Sequence, residues 1–244
     1  MAEGVGEQAR PDGRREFLAA NLERVRERIR RAAASAGRAD EPELIVVTKF
    51  HPASDVRILA GLGVRSVGEN RDQEASEKAA ELADLPLAWH FIGQLQTNKA
   101  KSVARYAAAV HSVDRAGLVS ALSKAMVQAE REDSLDCLVQ VNLALGAAPG
   151  RGGAVPEEVP ALADAIAQAP GLRLAGLMAV APLGEDPAAA FARLAQAAGT
   201  LRQAHPGASM LSAGMSQDLE EAVAAGATHL RIGTDVLGRR RTVR

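Results

Sequence analysis

Cysteine is almost missing. The chain has one, Cys137, which cannot close an internal disulfide and leaves no thiolate set to bind a metal. It stands in the apolar run Cys137-Leu-Val-Gln-Val, where a small buried thiol is the ordinary reading. Long apolar runs are missing too. None approaches the ~18 residues of a membrane span, and the N-terminus shows no basic-then-apolar export signal, so a cytoplasmic location away from the membrane is expected. Nor is there an excess of charge: Lys+Arg 29 against Asp+Glu 30 leaves a net -1. No positive field draws the protein onto phosphate backbones, and nucleic acid is not an expected partner. Lysine itself is scarce. Only Lys49, Lys78, Lys99, Lys101 and Lys124 stand among the 29 basic residues, so each is worth inspecting.

What is present is an ordinary soluble composition, 47% hydrophobic and 24% charged over 244 residues, enough for one barrel-sized domain with a sizeable core. Residues 1–13 mix Gly, Pro and charge without an apolar period and read as a flexible tail; residues 14–244 read as one domain. From Arg14 to Ala36, Phe17, Leu18, Leu22, Val25 and Ile29 recur at helical spacing among arginines, with Gly37 placed to end the helix. Its basic face reads as a solvated one.

After Pro42 short apolar runs alternate with Ala-, Leu-, Glu- and Arg-rich helical stretches, which is how β/α units read. The strand candidates are Leu44 to Val47, Val64 to Val67, Trp89 to Ile92, Ala108 to Val113, Leu138 to Val141, Leu174 to Val180, Ser209 to Leu211 and His229 to Ile232. These predict a single (β/α)8 TIM barrel with an extra N-terminal helix. The rival, an open doubly wound sheet, lacks its Gly-rich phosphate turn: the first strand is followed by Thr48-Lys49-Phe50-His51-Pro52. Residues 146–155, rich in Gly, Ala and Pro, read as a loop after the fifth strand.

In a parallel barrel the working residues lie where strands end. Lys49 follows Leu44-Ile-Val-Val, which puts an amine at the mouth of a low-dielectric interior, where desolvation favours the neutral nucleophile that condenses with aldehydes. The bland reading is a lysine that snorkels to solvent or pairs with Glu69. Two later segments weigh against it. Ser212-Ala-Gly-Met-Ser216 precedes a helix predicted to open near Gln217, and Arg231-Ile-Gly-Thr234 offers a guanidinium, a glycine and a hydroxyl on the next strand. Together they form an anion cradle of the kind late barrel loops provide. A lysine and an anion cradle are the two handles of pyridoxal phosphate, with Arg231 as the candidate partner of its ring nitrogen.

The stretches Val46-Val-Thr-Lys49, Gly68-Glu-Asn-Arg71, Trp89-His-Phe-Ile-Gly-Gln-Leu-Gln-Thr-Asn-Lys99, Ser212-Ala-Gly-Met-Ser-Gln-Asp218 and Arg231-Ile-Gly-Thr234 resemble the pyridoxal phosphate homeostasis proteins. The likeness runs from about Leu44 to Gly238. It implies the barrel of the alanine racemase N-terminal domain, with the cofactor on Lys49 as a Schiff base. It also implies Asn70 near the ring, Ser212, Ser216, Gly233 and Thr234 at the phosphate, Arg231 at the pyridine nitrogen, and His90 and Met215 in lesser roles. The implied function is to buffer or deliver the cofactor without turning over a substrate, as a monomer, with apo forms of pyridoxal phosphate enzymes as recipients. Two departures stand out: Ala213 replaces a methionine common in such proteins, and the loop after Asn142 lacks their Ser-Gly-Glu. The competing activity is an amino-acid racemase, which needs a base on each face of the cofactor. The one tyrosine, Tyr106, reads as packing on the helix after the third strand. A third reading is a scaffold that kept the barrel without a cofactor.

Overall fold

The computed structural model describes residues 11–145 and 152–238. Its centre is a closed barrel of eight parallel strands that neighbour one another in chain order. They are β1 (Glu43–Val47), β2 (Ser66–Glu69), β3 (Ala88–Phe91), β4 (Ala107–Val113), β5 (Leu135–Gln140), β6 (Leu172–Met178), β7 (Met210–Ser212) and β8 (His229–Ile232). The barrel closes where β8 pairs with β1, Val46 opposite Ile232. The wall is covered by α1 (Pro11–Ser35), α2 (Ala53–Gly61), α3 (Asp72–Glu81), α4 (Ala100–Val103), α5 (Ala116–Ala129), α6 (Val159–Gln168), α7 (Pro187–Ala204), α8 (Leu219–Ala224) and α9 (Thr234–Leu237). Among the described residues no helix is long and apolar enough to cross a membrane.

Successive strand residues face opposite sides of the wall, which divides the buried residues into two sets. Outward-facing Val46, Val67, Phe91 and Val110 join Leu59, Leu118, Leu122, Phe191 and Leu194 of the helices in one apolar layer. Inward, a small apolar cluster of Leu138, Ala175 and Met178, with Met210 against it, fills the side lined by β5 to β7. Ile45 and Val47 also face inward, and beside them the interior carries polar side chains. Cys137 is fully buried, and burial raises its thiol pKa well above the ordinary value.

α1 starts at Pro11, where a proline loses nothing by lacking an N–H, so residues 11–13 are helical; the rest of the expected tail lies outside the described residues. Leu18, Leu22, Val25 and Ile29 are buried as their spacing predicts, whereas Phe17 is exposed. The helix ends at Gly37, whose φ of 65° lets Arg38 and Gly37 donate back to Ala33 and Ala34 in a Schellman closure. Its arginines are not merely solvated. Arg14 grips Asp55 at 3.0 and 2.5 Å, and Arg28 holds Glu220 at 2.6 Å and the Ser216 carbonyl at 2.7 Å.

Strand boundaries shift from the apolar runs where those runs serve the turns. Val64 donates to Leu59 to cap α2, so β2 starts two residues later, at Ser66, and reaches Glu69. β5 and β6 start earlier than expected, at Leu135 and Leu172. Of the loop expected at 146–155, residues 146–151 lie outside the described residues; beyond them Ala154 docks on the end of β5, exchanging 2.8 Å bonds with Gln140 and Asn142.

Candidate functional site

The alternation that turns Ile45 and Val47 inward carries on past β1 to Lys49, which sits half-buried at the C-terminal end of the barrel. Thr48 still pairs with β2 through Gly68 (3.0 Å), and a turn then closes where His51 N–H meets the Thr48 carbonyl (3.1 Å). Phe50, third in that turn, has a φ of 65°, a left-handed value that costs a bulky residue about 1–2 kcal/mol. The turn is held from α3. Lys78 Nζ, on a nearly buried side chain, donates to the Thr48 carbonyl at 2.9 Å, to Glu69 at 2.7 Å and to Glu74 at 2.7 Å. Glu74 accepts the Phe50 N–H at 2.5 Å, and the Arg71 guanidinium lies 4.7 Å from the Phe50 ring centre. Glu69 also takes the Thr48 hydroxyl at 2.6 Å; burial raises its pKa, opposed by the neighbouring Lys78 charge.

On the adjoining side, the loops after β7 and β8 are laced together. Ala213 N–H donates to His229 O at 3.1 Å and Arg231 N–H to Gly214 O at 3.0 Å. Gly214 has a φ of 91°, and a Cβ there would fall 2.6 Å from that of Ala222, so only glycine fits this turn. Asp218 ties the loop by accepting the Met215 N–H at 2.6 Å. Here Ser216 and Gln217 lie in a turn, and α8 opens only at Leu219, because the Asp218 side chain satisfies the turn backbone in place of a further helical residue. After β8, Gly233 is the cap residue of α9, a helix not foreseen from sequence. A Cβ on Gly233 would approach the Val47 carbonyl to 3.2 Å, which places this loop beside the Lys49 segment.

Arg231 is 4% exposed. Its guanidinium donates to Ser212 Oγ at 2.6 Å and to the Ala179 carbonyl at 2.8 Å, and among the described residues no carboxylate comes within ion-pairing distance. Desolvation pulls its pKa down to about 10. Asp218 is the one carboxylate whose charge opposes that fall; a buried cation with no carboxylate in direct contact is costly, and it suits a mouth that receives an electron-rich group.

Beneath Arg231 a polar column descends through the barrel. Arg231 can only donate, so Ser212 Oγ accepts from it. The same Oγ shares a hydrogen bond with His111 Nδ1 at 2.9 Å, and His111 Nε2 shares one with His90 Nδ1, also at 2.9 Å. Burial drives both imidazoles towards the neutral form, His90 to about 4 and fully enclosed His111 well below its usual value. His229 lies lower, its ring 6.4 Å from that of His90 and its Nε2 3.4 Å from Glu43, a carboxylate that also accepts the Ser66 hydroxyl.

The structure therefore brings Met215 and Ser216 after β7, Arg231 in β8, and Gly233 and Thr234 just beyond it to the same end of the barrel as Lys49. Asn70 stands at the end of β2, its Oδ1 buried and without a partner among the described residues; the bare Cα of Gly93 lets the chain pass so close that a Cβ would lie 2.3 Å from Asn70 O. His90 and Ser212 are set deeper than expected, one in the column and the other buried with its hydroxyl bound to Arg231 and His111. Glu69 pairs with Lys78 at 2.7 Å. Tyr106 lies in the turn before β4, outside the wall, with its hydroxyl 3.5 Å from Asp72. The residues missed are His111, Glu74 and Lys78. The scarcity of lysine was the one signal for Lys78, and a polar residue near the end of β4 the one signal for His111.

The fold and this mouth define a barrel of the alanine racemase N-terminal class, and the sequence pattern of that domain family, "Alanine racemase, N-terminal domain", matches residues 20–241. Solved structures of PipY from Synechococcus elongatus superpose with TM-scores of 0.80 without pyridoxal phosphate and 0.76 with it bound, at 36% and 35% identity. Each comparison covers 91% of this chain and 100% of the other. A Mycobacterium tuberculosis protein named pyridoxal phosphate homeostasis protein is 45% identical over 96% of both chains, and its Escherichia coli namesake 37% identical over 91% of this chain and 97% of its own. The chain belongs to the pyridoxal phosphate homeostasis protein family.

Proposed function

We propose that this protein binds pyridoxal 5'-phosphate at the barrel mouth, covalently through Lys49, and stores and delivers it as part of cellular cofactor homeostasis. The observation that carries the reading is buried Arg231, held by Ser212 and Ala179 at a mouth that also holds Lys49, with no carboxylate in direct ion-pairing contact among the described residues. When bound, the cofactor supplies an aldehyde that captures amines and a ring that draws electrons from the captured group. Lys49 would hold the aldehyde carbon. Ser216, Gly233 and Thr234 would hold the phosphate from the two laced loops, with Met215 beside them. Asn70, whose Oδ1 lacks a partner, would face the ring. Arg231 would donate to the ring nitrogen, and because a guanidinium does not surrender its proton, that nitrogen would stay unprotonated and the ring weakly electron-withdrawing. Ser212 would brace Arg231 with its hydroxyl and would also take part in holding the phosphate. His90 would act through His111 on the same brace.

Holding in preference to turnover is supported by Tyr106, which is packed outside the wall and so is badly placed as a second base for a racemase. In this reading residues 14–244 act as one cofactor-binding unit, as a monomer in the cytoplasm, and apo forms of pyridoxal phosphate enzymes are the recipients. Intact mass after borohydride reduction tests it. The loaded protein should carry one added cofactor, mapped to the Lys49 peptide, and Lys49→Ala should carry none; equal adduct in the variant would overturn the attachment. The same loaded protein, mixed with an apo-transaminase, should restore activity faster than an equal amount of free cofactor, and recovery at the free-cofactor rate would remove delivery from the reading.

A further inference from the structure

Both peptide groups that flank Lys49 are gripped by one helix. The carbonyl before it, of Thr48, accepts from Lys78 at 2.9 Å, and the N–H after it, of Phe50, donates to Glu74 at 2.5 Å. Lys78 and Glu74 are one turn apart on α3 and bond each other at 2.7 Å. An ammonium has three protons, and those of Lys78 go to Thr48 O, Glu69 and Glu74. The group thus ties the end of β1, the end of β2 and α3 to one point. A side chain buried merely to fill space would not need a charge there, since burying one is costly unless every bond is made. The grip is applied where the backbone resists, at Phe50 with its φ of 65°, a position where glycine is the residue that sits without strain.

We propose that Lys78 and Glu74 are positioning residues for Lys49, holding its turn left-handed so that its side chain leaves the backbone towards the barrel axis. The inference rests on the reading that Lys49 is the attachment point. In that attachment the Lys49 nitrogen adds to the aldehyde carbon, a carbon–nitrogen double bond replaces the carbon–oxygen one, and the oxygen leaves as water with both amine protons. Neither Lys78 nor Glu74 exchanges a proton in it. Without the grip Phe50 relaxes to a negative φ, the Lys49 Cα–Cβ bond rotates away, and the amine misses the carbon although the phosphate loops still hold the ligand.

The test compares covalent and total binding of pyridoxal 5'-phosphate in the full-length chain. Borohydride trapping with intact mass reads the first, and equilibrium dialysis reads the second. In Lys78→Met the trapped fraction should fall about tenfold at matched occupancy, as a small misplacement of a reacting group costs, while total binding stays within about twofold. Adding Phe50→Gly to that variant should restore most of the trapped fraction, because glycine keeps the turn left-handed unaided; a merely structural role for Lys78 would not be repaired this way. Should Lys78→Met fail to fold, Glu74→Ala at the more open edge of the grip carries the same expectation in the same two readouts. Trapping equal to the unaltered protein in either variant overturns the grip, as does a loss that Phe50→Gly leaves unrepaired. No adduct on Lys49 in the unaltered protein overturns the attachment itself, and this proposal with it.

Discussion

The two sides of the barrel wall are built from opposite chemistry. Outside, between strands and helices, Val46, Val67, Phe91, Phe191 and Leu194 form an apolar layer in which shape alone decides stability. Inside, the polar column from Glu43 through His229, His90 and His111 to Ser212 and Arg231 occupies space that Val, Ile and Leu usually fill in such barrels, beside the apolar Ile45, Val47, Leu138, Ala175, Met178 and Met210. Polar groups enclosed this way gain little net stability even when bonded. The outer layer therefore holds the fold together, and the interior aims Arg231 and keeps the histidines neutral.

That contrast can be broken at its strongest point first. Phe191→Ala, at 1% exposure in the outer layer, should lower unfolding free energy by about 3–5 kcal/mol. Its urea midpoint should drop while cofactor binding by the folded fraction is kept; a loss under 1 kcal/mol would mean the outer layer is not what holds the fold. Acid should act on the interior instead. His90 has a folded pKa of about 4 against ~6.5 when unfolded, so below pH 6.5 the unfolded chain takes up protons that the folded one refuses. Stability is then full above pH 6.5 and falls towards pH 4, by about 3 kcal/mol for this residue, with His111 adding in the same direction. Thermal melts of the unaltered protein and of His90→Gln across that window check it: the variant should show the shallower slope, and equal slopes would place water beside His90. The smallest stability effect belongs to Arg231→Met. It removes an unpaired buried cation and leaves Ala179 O without a donor, two effects of opposite sign, so the net change should be within about 1 kcal/mol. Cofactor should nevertheless dissociate at least tenfold faster, and unchanged retention in a competition assay would detach Arg231 from the site.

Much of this architecture was readable in advance, for reasons that differ by residue. The strand count followed from apolar runs such as Leu44 to Val47, since a wall covered by helices needs one buried face on every strand. Lys49, Arg231 and the loop from Ser212 to Ser216 could be picked out because strand ends in a parallel barrel converge on one mouth. α9 could not, being one turn of Thr-Asp-Val-Leu with no room for a period. The strained turn at Phe50 was equally silent, for nothing in Thr48-Lys49-Phe50 announces a left-handed phenylalanine. Ser212 could be read as an anion ligand from its place before a glycine turn, but its bond to Arg231 on the neighbouring strand shows only once the barrel is closed.

Local order, the alternation of strand and helix, and the chemical identity of each mouth residue are properties of neighbours along the chain, and they could be read from it directly. Which polar groups meet is a property of closure. Lys78 reaches Thr48 across thirty positions, and His111 reaches Ser212 across 101. Whether such a group is a solvated charge or a buried, fully bonded anchor depends on what the closed barrel places opposite it, because burying a polar atom is tolerable only where a partner already waits.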